Sequence, residues 1–326
     1  MISDILLLAA GFILLIKGAD SFVDGSASVA RMLRVPGVII GLTIVAMGTS
    51  APELAVSISA GLSGSNELAV SNVVGSNIFN LLVVLGVCAL LKPLPTDPDI
   101  KKRDFPFSIA STFVVALLAG NGILSGSVKN FRDASAPAGV LYRWNGLLLV
   151  AAFVLYLLYT IYIAKKNRTE EASAEEKVMP VWKSVLYILF GIIGIIAGGQ
   201  FVVNSAKSLA LAWGMSETLV GLTIVAVGTS LPELVTSIVA SCKGENGMAV
   251  GNVVGSNIFN LLLILGVSST IHPIAITTAS FVDLVMALAV TLLGYCFVCT
   301  GKRVNRPEGA AMVILYAAYM VYAIIR

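Results

Sequence analysis

The chain is 326 residues long; 57% of them are hydrophobic, only 12% are charged, and the formal net charge is +3. A water-soluble domain carries roughly a quarter charged residues, so these charges cannot cover a water-facing surface of this size, which excludes a soluble enzyme, a disordered protein and a disulfide scaffold. A net charge this small, with no basic stripe interleaved with aromatics, excludes nucleic acid as a partner, and what remains is an all-α polytopic membrane protein.

A helix needs about 20 apolar residues to span a bilayer. By that rule ten transmembrane helices are expected, near 3–30, 37–61, 68–91, 105–125, 144–164, 182–211, 217–241, 248–271, 280–300 and 308–325. The first resembles a signal peptide but has Asp4 where a basic segment belongs, so it is read as a retained helix. Following the loops in turn, 15 Lys and Arg residues fall on one side of the membrane, Lys101, Lys102, Arg103 and Lys243 among them, and 4 on the other. The positive-inside rule makes the first side cytoplasmic, leaving both termini outside. Residues 1–164 and 182–326 then form two five-helix units, and the charged 165–181 stretch is a cytoplasmic linker. The four cysteines lie in or beside apolar runs and read as packing residues. The lack of a transit sequence points to a prokaryotic cell membrane.

The strongest signal is internal. Aligning residue n with n+180 pairs GLTIVAMGTSAPEL (41–54) with GLTIVAVGTSLPEL (221–234), and NVVGSNIFNLL (72–82) with an identical 252–262. Across 41–82, 30 of 42 positions match without a gap. An odd number of spans per half reverses the second copy, so the prediction is two inverted five-helix repeats. That is the architecture of secondary transporters, with the substrate site near the midplane.

The motifs carry the chemistry. Glu53 and Glu233 fall mid-span with no basic residue at their depth, and an ionised carboxylate there needs a cation or a water-lined cavity. Thr49 and Thr229 lie four residues ahead of them, on the same face of a continuous helix. Pro52 and Pro232 withdraw a backbone donor, which is expected to open the turn before them and aim carbonyls near Ala46–Thr49 at an ion. Ser76 and Asn80, with Ser256 and Asn260, add neutral oxygens at a spacing of four; Asn72 and Asn252 read as bracing between helices. With neither sulfur nor imidazole, this donor set suits a hard cation, calcium above all, with sodium competing. Protons compete for the same acids. The chain has neither a G-x-S-x-G nor an H-E-x-x-H motif, so no enzyme is expected.

The doubled GTS-x-PE and GSNIFN segments resemble the alpha repeats of the sodium/calcium exchangers, within the calcium:cation antiporter superfamily. The resemblance covers essentially the whole chain. It implies exchange of cytoplasmic Ca2+ for external Na+ by alternating access, with no cofactor and with the monomer as the working unit. Proton or potassium coupling on the same scaffold is the alternative. It further implies that Glu53 and Glu233 bind calcium with the backbones of Thr49 and Thr229. Sodium would use the carbonyls of Ala46 and Ala226 with Ser50, Ser76, Ser230 and Ser256, and Asn80 and Asn260 would complete the centre. Some relatives carry Asp at the position of Asn260, so this site holds one fewer possible negative charge. The first and sixth helices are expected to slide over the core on faces smoothed by Gly11, Gly18, Gly191, Gly194, Gly198 and Gly199.

Overall fold

The computed structural model describes residues 2–63, 66–126, 133–166, 178–215, 224 and 226–325. Its principal helices are α1 (Ile2–Leu33), α2 (Gly37–Thr49), α3 (Ala51–Leu62), α4 (Glu67–Leu91), α5 (Phe105–Ala119), α6 (Arg143–Lys166), α7 (Val181–Ala212), α8 (Leu231–Cys242), α9 (Asn246–Ile271), α10 (Thr278–Thr300) and α11 (Arg306–Ile325). Among the described residues seven helices are long and apolar enough to cross a bilayer, or eight when α2 and α3, bent by 49° at Ser50, count as one broken span. The spans expected near 105–125 and 217–241 correspond to the shorter α5 and α8. Residues 216–223 and 225 of the latter, 167–177 of the linker and 127–132 of the loop before α6 lie outside the described residues.

Burial sorts the helices into a centre and a rim. Along α9 and the Ser76–Ala89 stretch of α4 nearly every side chain is buried, including polar ones, whereas α1, α6, α7 and α11 expose Ile13, Leu155, Phe190 and Ile314. Apolar side chains facing outward are at no disadvantage in lipid, so these helices form the lipid-facing rim around a polar centre.

At the rim α1 and α7 pack against each other backbone to backbone. A Cβ on Gly18 would sit 2.7 Å from the backbone N of Ile195, and one on Gly198 2.5 Å from that of Leu15. Contacts such as Gly11 with Val202 and Gly25 with Ser184 show the residue numbers running in opposite senses, so the pair is antiparallel. Most of the glycines expected to smooth the faces sliding over the core are therefore spent joining the two helices to each other; Gly199 faces Pro232 of α8. The contacts to the core come from side chains instead, with Phe22 over Gly48 and Val203 over Gly228. α1 ends where Arg34 adopts a φ of 55° and Val35 N–H returns to Ala30 O, and Pro36 then directs the chain into α2.

The all-α expectation needs one correction. Four short strands form two antiparallel ribbons, Leu94–Pro95 with Arg303–Val304 and Pro137–Leu141 with Ile274–Thr277. Lys92 and His272, 180 residues apart, each leave their helix in an extended conformation just before a proline. The strand that follows each pairs with one from the other half of the chain, so residues 1–164 and 182–326 interlock. Gly86 against Gly309 and Gly146 against Gly266 bring α4 onto α11 and α6 onto α9 in the same crossed manner.

Candidate ion-binding site

Each GTS-x-PE motif breaks its helix immediately ahead of its glutamate. Ser50 (φ −84°, ψ 10°) and Ser230 (φ −94°, ψ 6°) are the residues before α3 and α8, and Pro52 and Pro232 occupy the first turn that follows. There the missing N–H goes unmissed. Glu53 and Glu233 share that turn, where unpaired backbone N–H groups favour negative charge. Because the break falls at Ser50, Thr49 and Glu53 do not share one continuous helical face. Thr49 Oγ1 instead donates to Asn252 Oδ1 at 3.1 Å, and Thr229 Oγ1 to Asn72 Oδ1 at 3.4 Å. The proline does not release the Ala46 carbonyl, which still accepts Ser50 N–H at 3.0 Å; Ser230 N–H goes to Val227 O at 3.1 Å. A proline frees the carbonyl four residues earlier, and for Pro52 that is Gly48.

The two motifs are cross-linked. Ser50 Oγ donates to Glu233 Oε1 at 2.6 Å, and Ser230 Oγ to Glu53 Oε1 at 3.1 Å, with the Ser76 hydroxyl 3.0 Å further along. Thr49, Ser50, Glu53, Ser76, Asn80, Ser230, Glu233, Ser256 and Asn260 are all essentially without solvent exposure; Thr229 is half-buried. Ala46 is buried, and for Ala226 the backbone alone is described. Asn72 braces Ser57 and the Glu53 carbonyl, and Asn252 braces Ser237, as expected of structural amides.

What remains unpaired defines the chemistry. Glu53 Oε2, Glu233 Oε2, Asn80 Oδ1, Asn260 Oδ1 and Ser256 Oγ are buried and have no hydrogen-bond partner. A buried polar atom left so costs about 1–3 kcal/mol, more when charged. The first four, with both acids ionised, can only accept, so they can take a hydrogen-bond donor such as water or coordinate a cation. No three His, Cys, Asp or Glu residues cluster among the described residues. Two carboxylates among neutral oxygens are the donor set a hard cation takes.

The helices widen at this level. π-helical turns begin at Asn80 and Phe259, and a third, Gly41–Val45, leads into Ala46. Such turns re-aim side chains and recur at functional sites. Sequence reasoning passed over the middle asparagines of NVVGSNIFNLL, Asn77 and Asn257. Each bonds across the centre to the other's backbone carbonyl, at 3.2 and 3.3 Å. Their signal was the second Asn of a motif repeated without change.

The model of the sodium/calcium exchanger protein family matches this chain twice, over residues 3–162 and 183–325. The chain belongs to the sodium/calcium exchanger family. The family is one of membrane antiporters, not of enzymes. This exchanger-family chain is 38% identical over 322 residues to CaxA of Alkalimonas amylolytica, covering 95% of each chain. It is 33% identical over 339 residues to the sodium/calcium exchanger MaX1 of Methanosarcina acetivorans, covering 97% of each. Among solved structures it is similar to the sodium-calcium exchanger NCX_Mj soaked with sodium and calcium, with a TM-score of 0.81 at 30% identity over 98% of both chains.

Proposed function

We propose that this chain is a secondary antiporter exporting Ca2+ from the cytoplasm in exchange for external Na+ by alternating access. The observation that carries the reading is the set of five buried, unpartnered oxygens on the two motifs, two of them from carboxylates. Glu53 and Glu233, with the backbones of Thr49 and Thr229, hold calcium. Ser50, Ser76, Ser230 and Ser256, with the carbonyls of Ala46 and Ala226, hold sodium, and Asn80 and Asn260 serve the centre. Calcium cancels the charge of two ionised acids, so the loaded centre can be closed off from water at little electrostatic cost.

Support for ten spans in two inverted five-helix repeats comes from the doubled family match, the antiparallel α1 and α7, and the crossed ribbons. In this reading the units are 1–164 and 182–326, the 165–181 linker is cytoplasmic, both termini are external, a prokaryotic cell membrane is home and the monomer suffices. α1 and α7 move as one body over Gly48 and Gly228, opening the centre to one side and then the other. If three Na+ exchange for one Ca2+, one net charge moves per cycle, worth about 2.3 kcal/mol per 100 mV.

The test is Ca2+ uptake into sodium-loaded proteoliposomes, with and without an outward sodium gradient. Gradient-dependent uptake that disappears in Glu233→Gln is the expected result. Uptake indifferent to sodium and driven by a proton or potassium gradient would overturn the coupling ion.

A further inference from the structure

Resting on that reading of the centre, we infer that Asn77 and Asn257 are positioning residues: each fixes, across the repeat interface, the amide of the other half's ion-facing asparagine. Asn80 Nδ2 donates to Asn257 Oδ1 at 3.1 Å, and Asn260 Nδ2 donates to Asn77 Oδ1 at 3.0 Å. Asn77 Nδ2 and Asn257 Nδ2 donate in turn to the backbone carbonyls of Asn257 and Asn77. All four asparagines are at least 97% buried, so water does not compete for these bonds.

The direction of this network follows from its ends. An asparagine amide has an acceptor oxygen on one side and a donor NH2 on the other, and the two can exchange by a half-turn. A backbone carbonyl can only accept. The Asn77 carbonyl therefore obliges Asn257 to present Nδ2 to it, which turns Asn257 Oδ1 outward. That oxygen obliges Asn80 to present its own Nδ2, which leaves Asn80 Oδ1 facing away, the atom that has no protein partner. The mirror chain runs from the Asn257 carbonyl through Asn77 to Asn260 Oδ1, which is likewise unpartnered. A half-turn of Asn80 would set two oxygens against each other and point an NH2 at a cation. Two backbone carbonyls thus decide that the centre meets the ion with oxygen, and each half of the chain sets the other half's ligand.

The crossed dependence distinguishes positioning from packing, because packing along one helix would couple each asparagine to its neighbour three residues on. The experiment is calcium titration of the purified full-length chain in sodium-free detergent solution, as a double-mutant cycle. Asn257→Ala is expected to weaken calcium binding about tenfold, the usual scale for losing a group that orients a ligand. On an Asn80→Ala background Asn257→Ala should add nothing, whereas on an Asn260→Ala background its tenfold effect should persist. Asn77→Ala should show the mirror pattern, silent with Asn260→Ala, and supplies the same test should Asn257→Ala not fold. An equal penalty on both backgrounds, or coupling of Asn257 to Asn260, would overturn the inference. The reading of the centre fails separately, if Asn80→Ala and Glu53→Gln leave calcium binding unchanged.

Discussion

Ser50 and Glu233 stand 183 positions apart in the chain, yet the Ser50 hydroxyl donates to Glu233 Oε1 at 2.6 Å. Together with the Ser230–Glu53 bond it means that neither acid is held by its own motif alone: the serine beside one glutamate serves the other. The contact occupies one carboxylate oxygen and leaves Oε2 free to meet an ion. Ser50→Ala removes a charge-assisted bond and a hydroxyl at once. A bond of this kind is worth about 1.5–3 kcal/mol, so the variant should bind calcium at least tenfold more weakly, with the larger share of the loss shared with Glu233→Gln in a double-mutant titration.

Glu53→Gln and Glu233→Gln each retain the shape of the side chain and remove its charge. Calcium binding should fall by more than a hundredfold in either, because a hard divalent cation draws its affinity from ligand charge. The thermal midpoint should hold or rise, since a buried unpaired carboxylate is a liability without its ion. A calcium titration beside a melting curve checks both, and normal transport by the pair of variants would refute the site.

If Glu53 and Glu233 hold calcium as proposed, protons compete with it for the same two acids. A protonated carboxylate offers no charge to a cation, so apparent calcium affinity should fall as pH falls, with the maximal rate recovered at high calcium. Sodium-driven uptake measured at several calcium concentrations across acid to neutral pH tests this. Inhibition that excess calcium cannot reverse would place the titrating group elsewhere.

Much of this was legible in the sequence because membrane burial is read from composition and the duplication kept its register. Glu53, Glu233, Ser76 and Asn80 announced themselves by polarity at membrane depth. The partners did not. Ser50 reaches Glu233 only because the chain breaks ahead of Pro52 and the two halves meet face to face, a relationship no local pattern encodes. The same holds for Asn77 and Asn257, whose value lies in what they bond to across the interface. The strand ribbons were missed because strands of two to five residues give no periodic signal. In the sequence the glycines of α1 and α7 mark a smooth surface, but which surface they face depends on the partner helix.

Ion pairs tie the rim to the core at one end. Lys243 bonds Asp20 at 2.7 Å and Asp24 at 2.6 Å, and Arg31 meets Glu245 at 2.9 Å, joining α1 to the α8–α9 connection. Burial works against the Lys243 charge, but its two aspartates outweigh this and raise its pKa above the ordinary 10.5. The contribution is therefore complete below that ordinary value and is lost only as pH rises through the raised one, so neutral pH leaves the tie intact. Salt does not, because the Debye length shrinks to about 3 Å at 1 M. Hydrogen exchange in residues 20–31 should quicken in Lys243→Gln and in high salt with little added effect of the two together, while the melting midpoint barely moves, exposed pairs being worth roughly 0–1 kcal/mol.

The helix break itself can be tested at Pro52. With proline there, the Gly48 carbonyl loses its partner four residues on, and α2 meets α3 at 49° with Ser50 at the corner. Pro52→Ala returns the N–H and lets the two helices join through Ser50. Straightening the corner draws the Ser50 hydroxyl away from Glu233 and turns Glu53 relative to Ser230, so both cross-links weaken together. The variant should melt at or above the parent temperature, since a continuous helix gains a hydrogen bond, yet transport should fall about tenfold, the loss expected of one misplaced ligand shell. Stability and flux would thus move in opposite directions. Gly48→Ala offers the complementary case: its Cβ would meet the Phe22 ring at 2.7 Å, so it should hinder the movement of α1 while leaving calcium affinity near that of the parent. Measuring binding and flux on both variants separates a fault in the site from a fault in the motion, and an unchanged flux in Pro52→Ala would show that the break does not shape the site.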